Sequence, residues 1–176
     1  MMKILIFLWK TLIFLQKFIM ISGGCLAGIL IFVQVFLRYV LGSPLFGVEE
    51  LILFIAVWLY FIGAAYGAYE RSHIKAELIL LGFTSTKSKA VIRSINGVIT
   101  VFLAVTMVTW SYPYFIWGLT RGATSQALLL PMVLCQSAIF FGSIFMSIYF
   151  TAELLDNLLL SFGKKQIFAP LSEKDT

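Results

Sequence analysis

The residues able to do chemistry are few, and most of them sit at two places. Arg38, Glu49 and Glu50 share one stretch, RYVLGSPLFGVEE. His73, the only histidine, lies among Arg71, Lys75 and Glu77. Two carboxylates near a guanidinium can staple a turn, hold a proton or ion, or meet a charged partner. Adjacent residues on a helix point about 100° apart, so Glu49 and Glu50 cannot both face Arg38 if both are helical. One is expected to pair with Arg38 and the other to face water or a partner. His73 has no neighbouring ligand and reads as a loop or subunit contact. Cys25 and Cys135 lie inside apolar runs, with no CxxC or Cys/His cluster. They read as small hydrophobes, and neither a metal nor a cofactor is expected on this chain.

What must position these groups is nearly all apolar. The chain is 61% hydrophobic and only 12% charged, with a mean hydropathy of +1.00. Soluble domains hold about 45–50% apolar residues, so one core cannot hide this excess. The fold class is an all-α integral membrane protein. The net charge of +5 is not a sign of nucleic-acid binding, because the basic residues sit where membrane topology places them.

Lys3, Lys10 and Lys17 are seven apart, a spacing that drifts only about 20° per step around a helix. Residues 1–17 therefore read as an amphipathic helix lying in the interface, its lysines toward anionic phospholipid headgroups. A cleaved signal peptide is the other reading. It needs an unbroken apolar stretch and a small-residue cleavage site. Lys10 interrupts the first and no AxA-like site follows promptly, which favours a retained helix.

Four transmembrane helices follow, over 18–41, 48–69, 94–117 and 127–152. The twenty charge-free residues 18–37 give about 30 Å of helix, the thickness of the hydrocarbon core. Residues 70–93 form a cytoplasmic loop with an interfacial apolar segment, and 163–176 a polar cytoplasmic tail. Pro131 is placed in the first turns of helix four, where a missing N–H matters least. The cluster WSYPYFIW, Trp110 to Trp117, marks where helix three meets the headgroups. With both termini inside, eleven Lys and Arg lie on the cytoplasmic side against two outside, Arg38 and Arg121. The positive-inside rule selects that orientation. Gly24 and Gly28 in helix one, and Gly63 and Gly67 in helix two, lie at similar depth and are expected to let the two backbones approach.

No ionisable residue falls at a bilayer midplane, and no matched pair of Gly/Pro-broken helices is present. A transporter that binds its own substrate usually shows one or the other. The pattern suggests a small accessory membrane subunit whose open apolar faces and loop charges serve a larger partner. Arg38, Glu49, Glu50, His73 and Arg121 are the candidate contacts. A tetraspan membrane enzyme and a small self-assembling pore are the alternatives. The first lacks a catalytic cluster, and the second lacks a polar stripe along any helix.

The motif RYVLGSPLFGVEEL, followed by FIGAAYGAYERSHIKAEL, resembles the small membrane (Q) subunit of tripartite ATP-independent periplasmic (TRAP) transporters. Arg38, Glu49, Glu50, Gly63 and His73 fall on the family pattern. An acidic residue often follows two places after the His-Ile step there, whereas this chain has Ala76 and then Glu77. The resemblance implies two partners, a large multi-helix membrane subunit and a periplasmic substrate-binding protein. Substrate and sodium sites would lie on the large subunit. It further implies a bacterial inner membrane location and an organic-acid substrate, a C4-dicarboxylate or, from the general look of the chain, sialic acid.

Overall fold

The computed structural model describes residues 2–43, 45–71, 86–161 and 168. They form four helices: α1 (Met2–Tyr39), α2 (Val48–Tyr69), α3 (Thr86–Arg121) and α4 (Val133–Ser161). All four are long and apolar enough to cross a membrane. Among the described residues there is no strand, only an isolated bridge between Thr124 and Pro131.

Three of the helices run past the spans read from charge at one end or both, and α2 coincides with its span. No glycine or proline precedes Gly23, so nothing stops residues 2–17 from continuing into the first span. The two form one helix of 38 residues, about 57 Å at 1.5 Å per residue. α3 starts at Thr86 rather than 94 and passes through Pro113 to Arg121. The proline leaves the carbonyl of Thr109 without its usual helical donor. α4 starts at Val133 rather than 127, because residues 124–131 close on themselves instead. Pro131 thus lies just before the helix, not in its first turns. Its carbonyl accepts from the N–H of Leu134 at 3.1 Å. α4 also outruns residue 152, since leucines flank Glu153 and Asp156 and keep the helix packed.

Left-handed residues set the helix ends. Gly42 (φ +63) turns the chain after α1, and Gly47 (φ +85) caps α2. Glu49 and Glu50 fill the first turn of α2, where carboxylates complement the helix dipole. Arg71 (φ +55) ends α2, and Gly122 (φ +59) ends α3.

The helices contact one another in the order α1–α2–α4–α3. α4 is the central element. A third of its span is buried within the chain, against 11% for α1 and α3. Burial of apolar surface does not drive association in lipid, so close backbone approach carries more of the packing. Three glycines make the tight crossings. A Cβ on Gly23 would stand 2.9 Å from Leu59 Cδ2, and one on Gly142 would stand 2.7 Å from Phe61 Cβ. One on Gly118 would fall on the buried amide of Gln136.

These geometries separate two substitutions of the same chemical kind. Gly142→Ala forces α2 and α4 apart, because the Phe61 Cβ cannot rotate away. It should cost about 1–3 kcal/mol, as overpacking does. Gly24→Ala meets nothing within 4 Å and should gain up to about 1 kcal/mol of helix propensity. Thermal unfolding in detergent, followed by tryptophan fluorescence, should show the first midpoint fall and the second hold or rise.

Candidate interaction sites

The polar groups gather at the two ends of the bundle. At the end where α1 turns into α2, the Arg38 guanidinium donates to Glu49 Oε1 at 3.3 Å. Both side chains are mostly exposed, so the pair is accessible and adds little stability. The Gln34 amide donates to the carbonyl of Leu45 at 3.3 Å and closes the same turn. Glu50 turns the other way. Its Oε1 accepts from the N–H of Ala127 at 2.7 Å, and its Oε2 from the N–H of Leu128 at 2.9 Å. The second carboxylate, half-buried, thus points away from Arg38. It holds the loop between α3 and α4. That loop is also braced from within, because the Ser125 N–H donates to the Leu130 carbonyl at 2.8 Å. The Ser125 hydroxyl in turn accepts from the Leu130 N–H at 3.0 Å.

At the opposite end, Arg71 donates to Asp156, which has no exposed side-chain surface. The left-handed backbone at Arg71 ends α2 and sends its guanidinium across to α4. Asp156 also accepts from the N–H of Phe168 at 3.0 Å. The Phe168 ring lies 5.6 Å from that of Trp9 on α1, and Trp9 meets Tyr149 edge-on at 5.2 Å. One level deeper, the Tyr149 hydroxyl donates to Gln16 Oε1 at 2.8 Å. Tyr66 donates to Glu70 at 2.5 Å, and the Lys17 ammonium sits 5.3 Å over the Tyr66 ring. This network ties α1, α2, α4 and residue 168 together.

Most of the residues singled out from sequence lie at these ends. Arg38, Glu49 and Glu50 are brought to one end, with Arg121 exposed in the last turn of α3 there. His73 lies outside the described residues. Gly63 approaches α1 only through Met20 Cε, 3.9 Å from a built Cβ, and Gly67 is half-buried. Gly24 and Gly28 present an open face, and the α1–α2 contact falls one position earlier, at Gly23. Sequence reasoning missed Asp156 altogether. The available signal was a carboxylate set among leucines in AELLDNLLL, a costly place for a charge unless it is paired.

A groove of about 490 Å³ runs along α3 and α4, with Trp9, Val105, Val108, Ile148 and Leu155 among its walls. Its polar side chains, Ser147 and Thr151, donate to carbonyls of their own helix. Such walls offer an organic anion no charge to pair with.

The family model described as tripartite ATP-independent periplasmic transporters, DctQ component, matches residues 27–160. The chain belongs to the DctQ family. The match spans both carboxylates of the turn, the Glu50-held loop and the Arg71–Asp156 pair, while Trp9, Gln16 and Phe168 fall outside it. DctQ-family chains are components of transporters that also have a large membrane component and a periplasmic binding component. The family is thus one of transporter parts, not of enzymes. None of the curated proteins compared with the chain matches it.

Two substitutions test the two ends. Asp156→Ala leaves the Arg71 charge buried without its carboxylate and should cost about 3–5 kcal/mol. The double variant Arg71→Met/Asp156→Leu should recover much of that loss, which a double-mutant cycle of thermal midpoints would measure. At the other end, Glu50→Ala frees the N–H groups of Ala127 and Leu128. Cleavage between residues 123 and 131 by a nonspecific protease should become faster, with the midpoint of the helical core little changed.

Proposed function

We propose that this chain is the small membrane subunit of a sodium-driven importer of an organic acid. It sits in the bacterial inner membrane with both termini in the cytoplasm. It scaffolds the large transport subunit and helps the periplasmic binding protein to dock. The family match across residues 27–160 carries this reading, because it spans the four-helix bundle from within α1 to the last turns of α4. The chemistry of the chain supports it. Among the described residues its charges staple turns and helix ends, and the groove along α3 and α4 is apolar, so substrate and sodium are assigned to the partner. The substrate class is a C4-dicarboxylate or sialic acid, and the chain itself carries no cofactor. The eleven-to-two distribution of basic residues supports the cytoplasmic termini.

The test is extraction in mild detergent through a C-terminal tag, with mass spectrometry of what copurifies. One large membrane protein should come down with the chain. Liposomes holding that complex should accumulate the organic acid under an inward sodium gradient when the binding protein is supplied. Recovery of a homo-oligomer alone would overturn the subunit reading. Uptake that ignores the sodium gradient would overturn the coupling.

A further inference from the structure

Residues 122–132 form a tongue whose tip the chain's own packing leaves unexplained. Its base is closed by the bridge between Thr124 and Pro131 and by the Met132 N–H donating to the Ala123 carbonyl at 2.8 Å. Its inner side is fixed by Glu50 and by Leu128, which lies so close to Gly47 that a Cβ there would stand 2.6 Å away. Its tip is Leu129, which is 68% exposed and has a φ of +54. Left-handed backbone is costly for any residue with a Cβ, and leucine has no polar group to offset it. A glycine would make this turn without strain. The fold instead holds a leucine rigidly outward.

Acyl chains do not account for the tip. Non-helical backbone exposed to acyl chains does not occur within the hydrocarbon core. The tongue follows Trp117 and Arg121 at the end of α3, so it stands in the headgroup or water layer. Phe46, 84% exposed, precedes Gly47 on the same platform. The charged residues described at this end are Arg38, Arg121, Glu49 and Glu50, which cancel. A soluble partner that comes and goes is drawn by a charged, complementary surface. A permanent partner is met by apolar surface.

We infer that the Leu128–Leu129 tip is a contact with the large membrane subunit, whose extramembrane loops cover it. This rests on the transporter-subunit reading above. The test uses Leu129→Gly and Leu129→Asp in the full chain, coexpressed with the large subunit. Leu129→Gly relieves the backbone strain, so its thermal midpoint should hold or rise. A fall would overturn the strain argument. Both variants should bring down less large subunit, by at least about tenfold, the scale of an interface hot spot. Normal copurification overturns the inference. With that result, weaker docking of the binding protein would assign the tip to the soluble partner, and unchanged docking would leave it to the headgroups. If the wild-type chain brings down no large subunit, the transporter reading itself fails, and the tip assignment with it.

Discussion

A carboxylate sealed from solvent has to be answered, and Asp156 is answered from two directions. Arg71 arrives from the end of α2 and the Phe168 N–H from beyond α4. Removing either charge alone would leave the other stranded, which is why such pairs bind their elements together more firmly than their net energy suggests. The geometry depends on it. Arg71 takes a left-handed backbone to end α2 where its side chain can reach. Phe168 is drawn back over Trp9, and Trp9 fixes α1 against Tyr149. The three helices α1, α2 and α4 thus meet at one end, among the described residues, through a buried ion pair and the aromatic rings around it. α3 joins mainly through α4, by glycine contacts and stacked rings such as Phe115 on Phe140.

The other end is fastened by a different device. There the acceptor is again a carboxylate, but its donors are backbone N–H groups of a loop. Glu50 satisfies two of them, and the bridge and the Ser125 hydroxyl satisfy others. Neither carboxylate at this end is sealed from solvent, so the fastening shapes a surface more than it stabilises a core. The exposed Arg38–Glu49 pair beside it is of the same kind: well placed, accessible and individually weak. The two ends divide the labour. One locks the helices, and the other presents loops.

This division explains what the sequence made legible. Four apolar stretches gave four helices, because length and charge spacing alone decide a span. The Arg38–Glu49 pair could be read because its members flank one short turn. Asp156 could not be paired with Arg71, since 85 residues separate them and the charge-free run was ended just before it. The partners of Glu50 were invisible for a deeper reason: backbone N–H groups have no letter of their own. The glycine pairs show a third limit. The glycine spacing points to Gly24, whereas Gly23 makes the contact, and one position on a helix is about 100° of rotation. Spacing along a helix is legible in sequence, but the facing direction is not.

That rotation bears on what the molecule is for. Turning Gly24 and Gly28 away from α2 leaves a face of α1 on which backbone can be approached closely, with Cys25 also exposed. α3 likewise buries little of its span within the chain. Gly23, Gly118 and Gly142, by contrast, serve crossings within the chain. Small residues left outward on a helix flank permit another backbone to approach closely. Membership of a family of transporter components gives that arrangement its context, and the two polar ends hold the bundle in shape.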